Sequence, residues 1–251
     1  MYNVLMEELV LRTSDNTKIA LNLYKSSHKE VIIVVHGWFM TKDSKAFRFL
    51  AENLAGNFDV IAMDCRGHGK SSGFYTFTEK EIIDVKTVVD FAKKSYEKIY
   101  LMGFSLGGGL VLIHQALEAD ADKIIAVSPH HSFEKIENHI WKKEAWLPTF
   151  KKMELKRWFS IRPSCISCII GKKIKPIDIV EKINVPTLFI AGEKDPTVYL
   201  WHTKALFDRA KCEKRFEIFK NGKHAEDLFL EEPQRFFNLC VDFLKTPVKT
   251  V

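Results

Sequence analysis

The stretch Ile99-Tyr100-Leu101-Met102-Gly103-Phe104-Ser105-Leu106-Gly107-Gly108-Gly109 decides how the rest of the chain is read. Its first part, Ile99–Met102, is a short apolar run that predicts a buried strand. Leu106–Leu117 has the length and apolar content of a helix. Between them stands the pattern Gly-x-Ser-x-Gly. A chain that turns this sharply from strand to helix has no room for side chains two residues before and two after the serine. Glycine at 103 and 107 meets that demand. The serine is then held in a strained conformation with its hydroxyl raised above the sheet edge. Strand, motif and helix in this order are the context of a nucleophile elbow. The N–H of Leu106 lies at the helix N-terminus, where negative charge is favoured. The plainer alternative is a glycine-rich turn carrying an incidental serine.

Outward from this stretch, strand-like and helix-like segments alternate. Glu7–Thr13 and Lys18–Tyr24 alternate apolar and polar residues around Ser14-Asp15-Asn16, which predicts a hairpin. Val31–Val35 is a pure apolar run, as in parallel strands covered on both faces. Helical spacing follows over Ala46–Ala55, a strand at Val60–Met63, and a helix over Glu79–Lys94 with one apolar face. Beyond the elbow come strands at Ile124–Val127, Pro186–Ile190 and Phe216–Phe219, and helices over Tyr199–Arg209 and Gln234–Leu244. This rhythm predicts an α/β fold with a mostly parallel central sheet flanked by helices. It breaks at residues 130–175, where no strand is expected and a helical cap or lid insertion is. The whole chain, 1–251, then forms a single domain.

A serine hydroxyl needs a base to take its proton. Of the nine histidines, His224 stands in a loop just after the strand Phe216–Phe219. Loops at the C-terminal ends of strands are where open α/β sheets gather their functional groups. The third member is expected in a similar loop. Asp195, in Gly192-Glu193-Lys194-Asp195-Pro196, follows the strand Pro186–Ile190, with Glu193 as the nearest rival. The loop Ser128-Pro129-His130-His131 offers no carboxylate before Glu134. The chain order is then Ser105, Asp195, His224.

His36-Gly37-Trp38-Phe39 follows the strand Val31–Val35, and Asp64-Cys65-Arg66-Gly67-His68-Gly69-Lys70-Ser71 follows Val60–Met63. Together with Gly103–Gly107, Asp195 and His224, these blocks resemble the α/β-hydrolase superfamily. The likeness spans residues 30–245 and is greatest to the branch of monoacylglycerol lipases, lysophospholipases and small carboxylesterases. The resemblance implies an α/β-hydrolase fold with a catalytic Ser105, Asp195 and His224. It also implies an oxyanion hole made by the backbone N–H groups of Trp38 and Leu106, with Phe39 the alternative to Trp38. His36 and Asp64 would be structural, and no cofactor or metal would be needed.

Composition narrows the remaining classes. The five cysteines are scattered and odd in number, unlike a secreted disulfide framework. The first residues lack a signal-peptide pattern and no apolar run reaches membrane-spanning length, so a cytoplasmic protein is expected. Gly69-Lys70-Ser71 fails as a phosphate loop, because position 64 holds Asp64 where that motif needs glycine. Cys165 and Cys168 have no second pair or histidine at zinc spacing. The net charge of +6 is concentrated in residues 141–175, with ten Lys or Arg against two Glu. Trp141, Trp146 and Trp158 lie there too. No nucleic-acid reading module accompanies the charge. A basic aromatic segment suits either a cap with solvated lysines or peripheral contact with a lipid surface. The expected activity is cleavage of small acyl esters. A thioesterase, a peptidase, a C–C hydrolase and a non-catalytic ligand-binding protein share the same expected triad and fold.

Overall fold

In the computed structural model, which describes residues 4–136 and 160–247, eight strands form one sheet in the order β1-β2-β4-β3-β5-β6-β7-β8. β1 (Leu5–Arg12) and β2 (Lys18–Lys25) make the expected antiparallel hairpin. β2 also pairs antiparallel with β4 (Asp59–Met63). From β4 onward all neighbours are parallel: β3 (Glu30–Val35), β5 (Lys98–Phe104), β6 (Lys123–Val127), β7 (Thr187–Gly192) and β8 (Lys214–Phe219).

The apolar runs are explained by two cores, one on each face. Side chains alternate across a strand. Val31, Ile33 and Val35 of β3 therefore join one core, and Ile32 and Val34 the other. The first core takes in α2 (Glu81–Ala92), α3 (Leu106–Glu118) and Leu206 of α6 (Leu200–Arg209). The second takes in α1 (Lys45–Leu54), α7 (Glu226–Glu231) and α8 (Pro233–Lys245). With helices on both faces, β3 carries only apolar side chains from Val31 to Val35.

The expected boundaries hold to within a few residues, with two informative differences. β5 runs on through Gly103 and Phe104, because the ladder with β6 continues to Phe104 and Val127. α7 was not expected: Glu226–Glu231 is too short to establish a period in the sequence.

Of the insertion expected at 130–175, residues 137–159 lie outside the described part, and with them Trp141, Trp146 and Trp158. Its C-terminal portion contains one short helix, α4 (Cys165–Ile170), and a second, α5 (Pro176–Ile179), begins just past the expected boundary. Against expectation, it also makes strand-like pairing. Ile161 and Pro163 bridge to His68 and Tyr75 of the β4–α2 loop. Arg162 N–H donates to the Gly67 carbonyl at 2.7 Å, and Tyr75 N–H donates to Arg162 at 2.8 Å. Two residues of pairing are too few to leave an alternating pattern in the sequence. No helix among the described residues is long and apolar enough to cross a membrane.

Candidate active site

Ser105 sits between β5 and α3 with φ 53° and ψ −117°, outside the regions an L-residue prefers. Such a conformation costs about 1–3 kcal/mol and persists only when its surroundings enforce it. Here Ser105 N–H donates to Val127 of β6 at 2.8 Å, and Gly109 N–H donates back to the Ser105 carbonyl at 3.1 Å. A Cβ on Gly107 would come within 2.4 Å of the Val35 and His36 carbonyl oxygens. A Cβ on Gly103 would meet the Gly107 carbonyl oxygen at 2.2 Å. The two glycines are thus required by close backbone approach, as the sequence pattern suggested.

His224 follows β8 after a tight turn. Its loop is tied to the loop that follows β6 by Ala225 N–H, which donates to Ser128 Oγ at 3.2 Å. His224 Nε2 lies 2.9 Å from Ser105 Oγ, and His224 Nδ1 lies 2.7 Å from Asp195 Oδ2. A ring nitrogen facing a carboxylate carries the proton, which leaves Nε2 as the acceptor for the serine hydroxyl. Asp195 is itself fixed, since its other oxygen accepts from Thr197 and Val198 N–H at 2.9 Å each. Its side chain is buried. The rival Glu193 is exposed and accepts instead from Asn221 N–H at 3.1 Å, stapling the β7 loop to the β8 loop.

Opposite His224, the β3–α1 loop brings Gly37 against the serine: a Cβ on Gly37 would stand 3.0 Å from Ser105 Cβ. The Trp38 indole turns away into the first core, stacked on Phe77 at 4.8 Å between ring centroids and in contact with Tyr75 and His68. Phe39 has φ 65°. Gly37, Trp38, Phe39, Ser105, Thr197, His224 and Glu226 line a small pocket in front of the serine. Larger hollows lie elsewhere, about 460 Å³ beside α2 and 570 Å³ beside the end of α8. Neither holds a nucleophile paired with a base.

His36 and Asp64 do tie loops together. His36 Nε2 accepts from Cys65 N–H at 3.1 Å, and burial pushes its pKa down to about 4. Asp64 accepts from Lys42 and Lys70 N–H at 2.7 and 2.9 Å, and burial raises its pKa to about 6. Among the described residues no group of three or more His, Cys, Asp or Glu could hold a metal ion.

Three residues around the site escaped the sequence reading. Ser128 anchors the His224 loop. His130 is buried with its ring under Gly109, and burial pushes its pKa down to about 3. Glu226 is buried and lines the pocket. Only the proximity of Glu226 to His224 in the chain could have drawn notice.

Residues 26–167, more than half of the chain, match the family model described as serine aminopeptidase, S33. The chain belongs to this family of α/β hydrolases. It is 28% identical over 204 residues to YqkD of Bacillus subtilis, described as an uncharacterized protein, covering 77% of this chain and 64% of that one. The chain thus spans under two thirds of YqkD. It is 27% identical over 253 residues to the AB hydrolase superfamily protein YisY of the same organism, covering 86% and 92%. Among solved structures, the esterase Pf2001 of Pyrococcus furiosus superposes with a TM-score of 0.76 at 21% identity, over 97% of this chain and 93% of that one. The α/β-hydrolase fold expected from the sequence is therefore the fold of this family member.

Proposed function

We propose that the protein is a serine hydrolase that cleaves carboxylic esters by two-step acyl transfer. One observation carries the proposal: the unbroken line from Ser105 Oγ through His224, 2.9 Å to Nε2 and 2.7 Å from Nδ1 to Asp195. Ser105 attacks the ester carbonyl carbon while His224 Nε2 takes its proton. The carbonyl oxygen becomes an oxyanion held by the backbone N–H groups of Trp38 and Leu106. Asp195 keeps the imidazole in the tautomer that accepts and stabilises the imidazolium that forms. Collapse of the intermediate breaks the bond to the alcohol, which leaves with the proton from His224. Water then repeats the cycle in reverse, giving up a proton to His224 and releasing the acid.

The esterase Pf2001, which shares the fold, supports an ester as the substrate. Contact with a lipid surface through residues 141–175 is a finer part of the proposal and rests on their basic, aromatic composition. The family description favours a second reading, in which the acyl group belongs to a peptide with a free N-terminus. One experiment tests both. Hydrolysis of p-nitrophenyl esters from acetate to palmitate is compared with that of aminoacyl p-nitroanilides, with Ser105→Ala as control. Ester turnover that disappears in Ser105→Ala supports the proposal. Turnover of the anilides alone moves the assignment to a peptidase, and turnover of neither overturns both.

A further inference from the structure

Trp38 stands in the middle of the loop proposed to hold the oxyanion. Its own N–H and that of Phe39 flank its Cα, so the anchoring of its side chain bears on both candidate donors. Met40 N–H closes this loop on the Gly37 carbonyl at 3.3 Å. Among the described residues the Trp38 ring meets Phe39, His68, Tyr75 and Phe77, and only Phe77 lies face to face with it, at 29° between the ring planes. Phe77 itself is fully buried and does not line the pocket. It has φ 59°, and Thr78 after it has φ 80°. Positive φ is a genuine outlier for a bulky or β-branched residue. Packing in a core does not require it, since the buried Phe47, Phe104 and Phe189 have ordinary backbones.

Strain of this kind persists only where the surroundings enforce it, and it gathers at working sites. The enforcing group here is Glu81, the first residue of α2. One of its oxygens accepts from Thr76 N–H and the other from Thr78 N–H, each at 2.7 Å, and Thr76 Oγ donates a third bond at 2.9 Å. The carboxylate thus brackets Phe77 from both sides. Glu81 is fully buried, and its helix is set in the first core by Val85, Val88 and Val89. A continuous chain of contacts runs from this helix through Glu81 and Phe77 to Trp38. We infer that Phe77, clamped by Glu81, is a positioning residue for the oxyanion hole: its ring fixes Trp38 and so the donor N–H of the 37–39 loop. The inference rests on the serine-hydrolase reading above. An oxyanion donor is effective because it is already in place when the charge develops.

The test measures p-nitrophenyl butyrate turnover by the full chain, with active sites counted by end-point titration with a fluorophosphonate. Inhibition by propyl trifluoromethyl ketone and by propyl methyl ketone is measured alongside. With the first, Ser105 Oγ adds to the carbonyl carbon, its proton passes to His224, and the carbonyl π pair becomes an oxyanion. The second occupies the same place as an intact ketone. Phe77→Leu keeps apolar bulk and removes the flat face. Outright loss of an oxyanion donor costs about 10²–10³-fold in kcat, so a donor set loose should cost about tenfold. Phe77→Leu is expected to lower kcat per active site about tenfold with KM within about twofold. It should also weaken the trifluoromethyl ketone about tenfold relative to the methyl ketone. Glu81→Gln, which retains one acceptor oxygen of the clamp, should move the ketone ratio the same way by a smaller factor. Because the ratio is taken within one enzyme, a misfolded fraction cancels. A ketone ratio in Phe77→Leu within about twofold of wild type overturns the inference and leaves the hydrolase reading standing, whether or not kcat falls. Should Phe77→Leu give no titratable sites, an unchanged ratio in Glu81→Gln overturns it and a shifted one supports it. Failure of wild type to cleave the ester in a Ser105-dependent way defeats the hydrolase reading, and the inference with it.

Discussion

Asp195 and His224 meet at 2.7 Å across the gap between the β7 and β8 loops, while the second oxygen of Asp195 is held by two backbone N–H groups of its own loop. The carboxylate is thereby aimed before any substrate arrives. Asp195→Asn keeps the shape but presents a donor or a neutral acceptor to Nδ1. The expected loss in kcat is of order 10⁴-fold, that of the corresponding change in a Ser-His-Asp triad. Glu193→Gln, at the surface staple, should leave kcat nearly unchanged. A larger loss in Glu193→Gln than in Asp195→Asn would reverse the assignment of the two carboxylates.

Gly107 and Gly56 make a contrasting pair. A methyl group at 107 runs into two backbone carbonyl oxygens at 2.4 Å, whereas at 56 its nearest neighbour is the Asn53 carbonyl oxygen at 3.9 Å. Gly107→Ala must push the β5–α3 turn off β3. Overpacking of this kind costs about 1–3 kcal/mol, and a shift of the elbow near 1 Å costs about 10²-fold in turnover. Gly56→Ala is expected to be neutral or to stabilise by about 0.4–1 kcal/mol. Urea unfolding and ester turnover of both variants check this, and equal behaviour of the two would refute the packing argument.

Arg66 and Asp84 form a buried pair, with Arg66 Nη2 and Nε both donating to the carboxylate at 2.7 and 2.9 Å. Arg66 also reaches the exposed Asp15 at 2.7 Å. Removing one partner of a buried pair strands the other charge. Arg66→Ala is therefore expected to cost about 3–5 kcal/mol. Asp84→Ala together with Arg66→Ala should cost less than the sum of the single changes. A double-mutant cycle by chemical denaturation measures the coupling; additivity would mean that the pair contributes no specific interaction.

His130 gives a pH signature. Burial holds its pKa near 3, well below the usual histidine value near 6.5 that the unfolded chain retains. Between these values the unfolded chain binds a proton at this position and the native protein does not. His130 therefore contributes stability that is present above pH 6.5 and is lost as the pH falls towards 3. The slope is about 1.4 kcal/mol per pH unit for one proton. Other groups titrate in the same window: His36 acts in the same sense, while Asp64 and Glu81, raised by burial to about 6 and 7, act in the opposite one. The test is accordingly a difference. Unfolding free energy measured from pH 6 to pH 4.5 should fall less steeply in His130→Asn than in wild type, by about one proton's worth. Identical slopes would show that His130 does not stay neutral in the native state.

The strands and helices were legible because each leaves a local mark. Val31–Val35 is wholly apolar because both its neighbours in space are apolar layers. Gly103 and Gly107 flank Ser105 because the backbone itself is crowded there. The hairpin at residues 5–25 and the helix at 45–54 show their periods within a dozen residues. What was missed left no such mark. The bridges of Ile161 and Pro163 involve too few residues for a pattern, and α7 is shorter than two full turns.

The sequence by itself determined the order of the elements and the place of Ser105 on a strand-to-helix turn, because periodicity and glycine spacing are properties of neighbouring residues. Only the tertiary structure decided that Asp195 and not Glu193 touches His224, that His130 lies beneath Gly109, and that Glu226 lines the pocket. The physical reason is the same in each case. The direction of a side chain on a loop depends on a few backbone dihedrals and on packing partners dozens of residues away. Two carboxylates separated by a single lysine, Lys194, look alike until the sheet brings β8 beside β7.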